Sequence, residues 1–242
     1  MLEPEIIYED EDILAVNKPA GLVVHEDGRT EEPSVSEWFV KKYPESKDVG
    51  EGLDEIERSG VVHRIDRDTS GVLLLAKTSE GHECLKKQFQ RRNIEKFYHA
   101  FVHGQMKDDR GTINMPIGKS PRDFRRWSAE RGARGEMREA ITYFEVLKRS
   151  DELDVTLVEA KPKTGRTHQI RVHFRALQRP ILGDKLYGTK ATQDLGEVWG
   201  FSRLALHARK IIFKNNEGKI IETQAPYPKD FELALEKIGF KS

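Results

Sequence analysis

Between Val61 and Thr78 the chain reads VVHRIDRDTSGVLLLAKT. The second half, VLLLA, is a short continuous apolar run, the pattern of a strand buried on both faces. The first half packs His63, Arg64, Asp66, Arg67 and Asp68 into six residues. The turn signal Thr69-Ser70-Gly71 joins the two halves. A charged loop fixed to the mouth of a buried strand adds little to stability. Loops held on rigid scaffolds are where catalytic groups concentrate. Asp66 is therefore the first candidate for chemistry, and the rest of the chain must supply its partners.

Bulk properties narrow the choices. The 242 residues allow one large domain or two small ones. We find no tandem repeat, low-complexity tract or linker, and read residues 1–242 as a single domain. No apolar run reaches the roughly 20 residues that span a bilayer, and the acidic start MLEPEIIYEDED lacks a secretory signal pattern. The single cysteine, Cys84, permits neither an internal disulfide nor a multi-cysteine metal site. A reducing cytoplasm is expected. With 41 basic and 41 acidic residues the net charge is zero, so any attraction to nucleic acid must come from a local basic groove.

The element pattern is mixed. Residues 6–17 read as two short strands around an acidic turn, broken by Lys18-Pro19-Ala20-Gly21, and 22–25 resume an extended run. Ser34-Val35-Ser36-Glu37 is a capping box that starts a helix ending near Pro44. Thr78-Ser79-Glu80 caps a second helix, ending at Asn93. Ile94 to Gly104 alternates as a strand, with Tyr98, Ala100 and Val102 on one side. Residues 140–148 and 153–160 read as an antiparallel pair. Thr167 is placed to cap a helix from His168 to about Gln178, burying Ile170, Phe174 and Leu177. Residues 204–213 form a strand, Asn215-Asn216-Glu217-Gly218 a hairpin turn, and Pro228 to Ile238 a terminal helix.

Residues 119–138, KSPRDFRRWSAERGARGEMR, stand apart, with seven basic residues against three acids. Phe124 and Trp127 interleave with Arg125 and Arg126. The stretch lacks clear periodicity and reads as an exposed arm or hairpin tip. Arginines with aromatics suit phosphates and unstacked bases.

The ionisable groups exclude some chemistries. No Gly-rich phosphate loop precedes a helix carrying Lys and Ser/Thr. No His-x-Glu accompanies Cys-x-x-Cys, which disfavours a zinc nucleobase deaminase. His168 and His173 are five apart, on different helix faces, so no metal is expected. What remains is Asp66, several arginines and a tyrosine. A carboxylate kept ionised by a nearby arginine is a competent nucleophile toward sugar carbons. No second carboxylate of comparable context appears to serve as a glycosidase acid. Breaking a glycosidic bond and remaking it with the same base needs no water and no net acid.

Several ordered blocks resemble the RluA-type RNA pseudouridine synthases. These are Asn17 to Val24, His63 to Gly71, Lys96-x-Tyr98-x-Ala100-x-Val102-x-Gly104, and Thr164-Gly165-Arg166-Thr167-His168-Gln169-Ile170-Arg171-Val172-His173. Pro180 to Asp184, Tyr187-Gly188 and Leu204 to Ala208 follow in order. Ile65 stands where the family commonly has Leu, a volume-conserving change. The resemblance implies an α+β pseudouridine synthase fold: a mixed, mainly antiparallel sheet, with flanking helices and loops around a central RNA-binding cleft. It implies an isomerase that converts uridine to pseudouridine in ribosomal or transfer RNA, without cofactor or metal.

By the same resemblance Asp66 is the catalytic aspartate, acting at the sugar C1′ or promoting a glycal route. Tyr98 packs on the flipped uracil and assists loss of the C5 proton. Arg171 pairs with the aspartate, and Arg64 takes the flipped base's place in the RNA stack. Arg166, His168 and Leu204 fall in the matching blocks and are expected at the substrate, with Arg125 and Arg126 on the arm. The family often carries an N-terminal S4 RNA-binding domain, for which this chain has no room before Asn17. Substrate choice is then expected to rest on the 119–138 arm and a compact RNA stem-loop, with the protein acting as a monomer. A non-catalytic RNA-binding factor and a nucleoside N-glycosidase are the competing readings.

Overall fold

Apolar runs bounded by turn residues become strands, and capped amphipathic runs become helices. The structure is a computed structural model that describes residues 2–26, 32–50, 59–130, 132–150, 152 and 154–241. In chain order the elements are β1 (Glu5–Glu9), β2 (Ile13–Lys18), α1 (Val35–Lys42), β3 (Ser70–Ala76), α2 (Ser79–Gln90), β4 (Glu95–His103), β5 (Arg110–Asn114), β6 (Ile117–Lys119), β7 (Trp127–Ser128), β8 (Arg134–Arg138), β9 (Ile141–Ser150), β10 (Val155–Pro162), α3 (Gln169–Ala176), α4 (Lys190–Val198), β11 (Leu206–Lys214), β12 (Ile220–Gln224) and α5 (Lys229–Ile238). The class is α+β, and β1/β2, β2/β3, β4/β10, β10/β9, β5/β9 and β11/β12 are all antiparallel pairs. No helix of the described residues is long and apolar enough to cross a membrane.

The chain, read as one domain from sequence, groups its contacts into two compact units. The first holds residues 1–96 and 208–226, the second residues 97–207 and 227–242. In the first unit the strand order is β1-β2-β3-β11, with β12 on β11. Strand β3 is buried along its whole length, as the VLLLA run requires. Ile13 and Ala15 of β2 join Val72 and Leu74 of β3, Leu85 of α2 and Ile211 and Phe213 of β11 in one apolar cluster. Each large side chain so buried contributes about 1.5–3 kcal/mol. Gly71 has φ +111, and a Cβ there would meet the Ala208 carbonyl oxygen at 2.2 Å. Only glycine lets β3 and β11 approach this closely.

In the second unit the order is β4-β10-β9-β5. Phe101 of β4 packs on Trp199, Phe201 and Phe231, the last from α5. Strands β6, β7 and β8 form a separate small sheet, ordered β7-β6-β8.

Several sequence expectations need correction. Residues 119–138, which show no periodicity in sequence, contain β7 and β8, and both pair with β6. Strand β8 is exposed at every position, so it shows no buried-face alternation. Residues 22–25 make no strand beyond a single bridge from Val23 to Ser34. Their carbonyls accept instead from the start of α1, Val35 N–H to Val23 O and Ser36 N–H to Val24 O. Ser34 caps α1 by accepting from Glu37 N–H, but the Glu37 carboxylate turns to Lys41 rather than closing the box. Helix α2 ends at Gln90, short of Asn93. The α3 cap is His168 rather than Thr167, and Leu177 is exposed while Val172 and His173 are buried. Helix α4 is absent from the sequence reading, although Thr189 and Thr192 form a reciprocal capping box at its start. Asp151, in the sequence-predicted turn, and Leu153, in the sequence-predicted strand, lie outside the described residues.

Candidate active site

The Asp66 loop belongs to the first unit and is tied down on both sides. Upstream of Asp66, Leu74 N–H of β3 donates to His63 Nε2 at 2.9 Å. The His63 ring lies 4.7 Å from the Phe89 ring of α2. Burial, then the nearby Lys96 charge, pushes the imidazole pKa down from 6.5 to about 3. His63 is therefore neutral, and its Nε2 is a permanent acceptor. Downstream of Asp66, Lys18 is completely buried. Its Nζ donates to the carbonyls of Arg67 at 2.9 Å, Leu22 at 2.7 Å and Pro19 at 2.9 Å. Gly21 N–H also donates to Arg67 O at 2.9 Å, and Thr69 N–H to Asp66 O at 3.1 Å. The three carbonyls spread the lysine charge's solvation over the loop backbone, which offsets the cost of burying it.

Within the loop, Ile65 is buried and Arg64 exposed, with Asp66 between buried and exposed. Arg67 points outward to Glu32 in an exposed ion pair.

Tyr98 and Arg171 belong to the second unit. Tyr98 lies on β4 opposite Ala160 of β10 and is almost fully buried. Arg171 lies in the first turn of α3, one side chain that the apolar face does not consume. Its Nε donates to Asp184 Oδ2 at 2.8 Å and its Nη2 to Oδ1 at 2.9 Å. Asp184 is 1% exposed, and its Oδ1 also accepts from Leu186 N–H and Tyr187 N–H, both at 2.9 Å. The Tyr187 ring faces the guanidinium, 4.9 Å from Cζ.

The turn into α3 is built by side chains. Gln169 Oε1 accepts from Thr164 Oγ1 at 2.7 Å and Arg166 N–H at 3.0 Å. Its Nε2 donates to Ile141 O at 3.0 Å and Thr142 Oγ1 at 2.9 Å. Arg166 Nε donates to Glu139 O at 3.0 Å. His168 adopts the left-handed conformation, φ 55 and ψ 21, with Nδ1 2.9 Å from the Tyr187 hydroxyl. His173 is buried between Thr142 Oγ1 and Met115 O; burial lowers its pKa, against the Met115 carbonyl, which raises it. Leu204 is buried in the core of its unit.

The arm presents Phe124 almost bare, 87% exposed. Asp123 accepts from Arg125 Nε at 3.1 Å and Nη2 at 2.9 Å, and Arg126 lies 3.5 Å from the same carboxylate. The Arg125 hydrogen bonds hold the Asp123 pKa down at about 2. Lys18, Asp184 and Tyr187 carry no role in the sequence reading, which expects a structural or RNA-facing one for His63. Asn-Lys-Pro, Gly-Asp and Tyr-Gly mark the places of the first three, but their partners are distant in the chain.

Residues 12–176 match the family described as RNA pseudouridylate synthase. An uncharacterized RNA pseudouridine synthase of Aquifex aeolicus is 43% identical over 187 residues, covering 77% of this chain and 57% of that protein. The ribosomal large subunit pseudouridine synthase D of Xanthomonas campestris is 36% identical, covering 95% of this chain and 68% of that protein. The structure of human RNA pseudouridylate synthase domain containing 1 superposes with TM-score 0.74 at 26% identity, covering 94% of this chain and 84% of that one. The chain belongs to the RNA pseudouridylate synthase family, isomerases that convert uridine to pseudouridine in RNA.

Proposed function

We propose that this chain isomerises uridine in ribosomal large-subunit RNA, with Asp66 as the catalytic group. The observation that carries the reading is the anchoring of the Asp66 loop. A buried lysine and a neutral histidine are committed to holding a loop whose own charged side chains stay accessible. Pre-organisation of this kind serves a reaction in which a misplacement of about 1 Å is costly. The large-subunit target rests on the Xanthomonas relative's name; a transfer RNA stem-loop is the alternative substrate.

In the proposed reaction the target base leaves the RNA stack, which costs about a few kcal/mol, and Arg64 fills the gap. Asp66 acts at the ribose as the N1–C1′ bond opens. The uracil turns while packed on Tyr98, and C5 bonds to C1′. The C5 proton is then lost, with Tyr98 assisting, and N1 gains a proton. Bonds and protons balance without water or a redox partner. Arg171 offsets the anionic charge, and Arg166 and Leu204 help to seat the base. The 119–138 arm, through Arg125 and Arg126, grips the RNA.

The test uses a large-subunit RNA transcript carrying [5-³H]uridine, because joining C5 to C1′ expels the tritium. The expected result is tritium release by the parent, none by Asp66→Asn, and similar RNA binding by both. RNA binding by the parent without release would leave a binding factor. Free uracil in the products would make the protein a glycosidase.

A further inference from the structure

One hydroxyl in the second unit joins the arm to the start of α3. Tyr187 is buried, and its oxygen accepts from Trp127 N–H of β7 at 2.9 Å. The same hydroxyl lies 2.9 Å from His168 Nδ1. A hydroxyl has one proton to give. With Trp127 donating to it, that proton is matched when His168 Nδ1 is the acceptor and the imidazole is neutral. The ring of Tyr187 covers the Arg171 guanidinium, and its backbone N–H holds the Asp184 carboxylate that grips Arg171. Tyr187 thus touches the arm, the helix cap, the arginine and the arginine's counterion. The junction is also packed: Ile117, Ala140, Val172 and Tyr187 form a small core, with Trp127, Ala129 and Leu186 against it.

His168 gives the second observation. It sits at φ 55, ψ 21 as the α3 N-cap, without a side-chain bond to the helix. A non-glycine residue there is strained, and such strain persists where surroundings over-determine it, often at functional sites. Glycine would take this conformation freely. The imidazole commits its Nδ1 to the Tyr187 hydroxyl, 2.9 Å away.

We propose that His168 and Tyr187 are a positioning pair through which strand β7 of the arm sets the placement of Arg171 for the reaction. The proposal rests on the reading that Arg171 takes part in uridine isomerisation. RNA held by the arm would bear, through Trp127 N–H and the Tyr187 hydroxyl, on the helix that carries Arg171.

Two variants and two readouts test it. Tyr187→Phe removes only the hydroxyl and keeps the ring over Arg171. His168→Gly removes the imidazole and relieves the strain. On the tritiated transcript each is expected to lower kcat about tenfold with KM within about twofold, and the double variant to lose no more than either single, as for residues acting as one unit. His168→Gly should do so with an unchanged or higher melting temperature, which a merely structural role would not produce. The second readout is hydrogen exchange at the Arg171 Nε–H by NMR, assigned with Arg171→Lys, which should quicken about tenfold in Tyr187→Phe as local opening becomes easier. A kcat within twofold of the parent in either variant, a loss confined to KM, or unchanged Arg171 exchange would overturn the proposal. A parent that releases no tritium would sink the functional reading alone, and the exchange measurement would still decide this one.

Discussion

Asp184 holds the Arg171 guanidinium through two parallel hydrogen bonds, Nε to Oδ2 at 2.8 Å and Nη2 to Oδ1 at 2.9 Å. Neither partner is much exposed, with 11% of the arginine side chain and 1% of the aspartate reached by solvent. Removing one member strands the other without its counterion. Asp184→Ala also orphans the Leu186 and Tyr187 amides. It is expected to destabilise the fold by about 3–5 kcal/mol, read by urea denaturation with the slope checked. A loss below about 1 kcal/mol would mean the pair is solvated in solution.

Gly71→Ala is expected to abolish soluble folded protein. The new methyl would lie 2.2 Å from a backbone oxygen, at φ +111, and a strand backbone cannot swing away as a side-chain tip can. Recovery of a parent-like circular dichroism melt from this variant would refute the close approach of Gly71 and Ala208.

Lys18→Met tests the loop anchor. It takes a donor from the Arg67, Leu22 and Pro19 carbonyls; Arg67 O keeps the Gly21 N–H, and a buried acceptor left without a partner costs about 1–3 kcal/mol. Relief of the buried charge offsets part of this, so the expected net loss is about 2–4 kcal/mol. Faster hydrogen exchange should be confined to residues 63–70, and exchange spread evenly over the first unit would argue against a local anchor.

His63 gives stability a pH dependence of known sign. The unfolded chain protonates it near its ordinary value of 6.5, and the folded protein only near 3. Between these values the unfolded state binds more protons, so stability falls as pH drops below 6.5 and gains nothing from His63 above it. The slope is at most about 1.4 kcal/mol per pH unit. His63→Gln can still accept from Leu74 N–H and does not titrate. Between pH 6.5 and 5 it should lose less stability than the parent, and parallel denaturation curves would contradict the shift.

What the sequence revealed was local. The VLLLA run announced β3 because burial on both faces leaves no polar position to alternate. Thr78, Ser34 and the Asn-Asn-Glu-Gly turn marked element ends because their cues act within four residues. Strands β6 to β8 escaped because β6 and β7 are too short to show an apolar period and β8 is exposed throughout, and the pairing that makes them is set by partners farther along the chain. His168 escaped as a cap because Thr167 satisfies the local rule, while the network of Gln169, Thr164 and Tyr187 overrides it. Lys18 looked like turn punctuation, and only its carbonyl partner 49 residues away shows otherwise. The same distance problem separates Asp66 from the residues that family resemblance pairs with it. The charged loop nominated Asp66 and the family resemblance added Tyr98 and Arg171, but neither could say what each one touches.

The arm separates charge from stacking. Asp123 already engages Arg125 and lies near Arg126, so both cations are partly neutralised before RNA arrives. Asp123→Asn is expected to tighten RNA binding and steepen its salt dependence, because a freed arginine can displace a counterion from a phosphate. Replacing Arg125 and Arg126 by alanine should weaken binding and lower the slope of log K against log salt by about 0.7–0.9 for each phosphate no longer neutralised. Phe124 is different in kind. It is exposed and uncharged, and a base stacked on it contributes about 1–3 kcal/mol. Phe124→Ala should therefore weaken binding at every salt concentration and leave the slope unchanged. Filter binding of the large-subunit transcript across a salt series measures all three variants. A slope that moves with Phe124 but not with the arginines would show that the arm reads the RNA by some route other than these side chains.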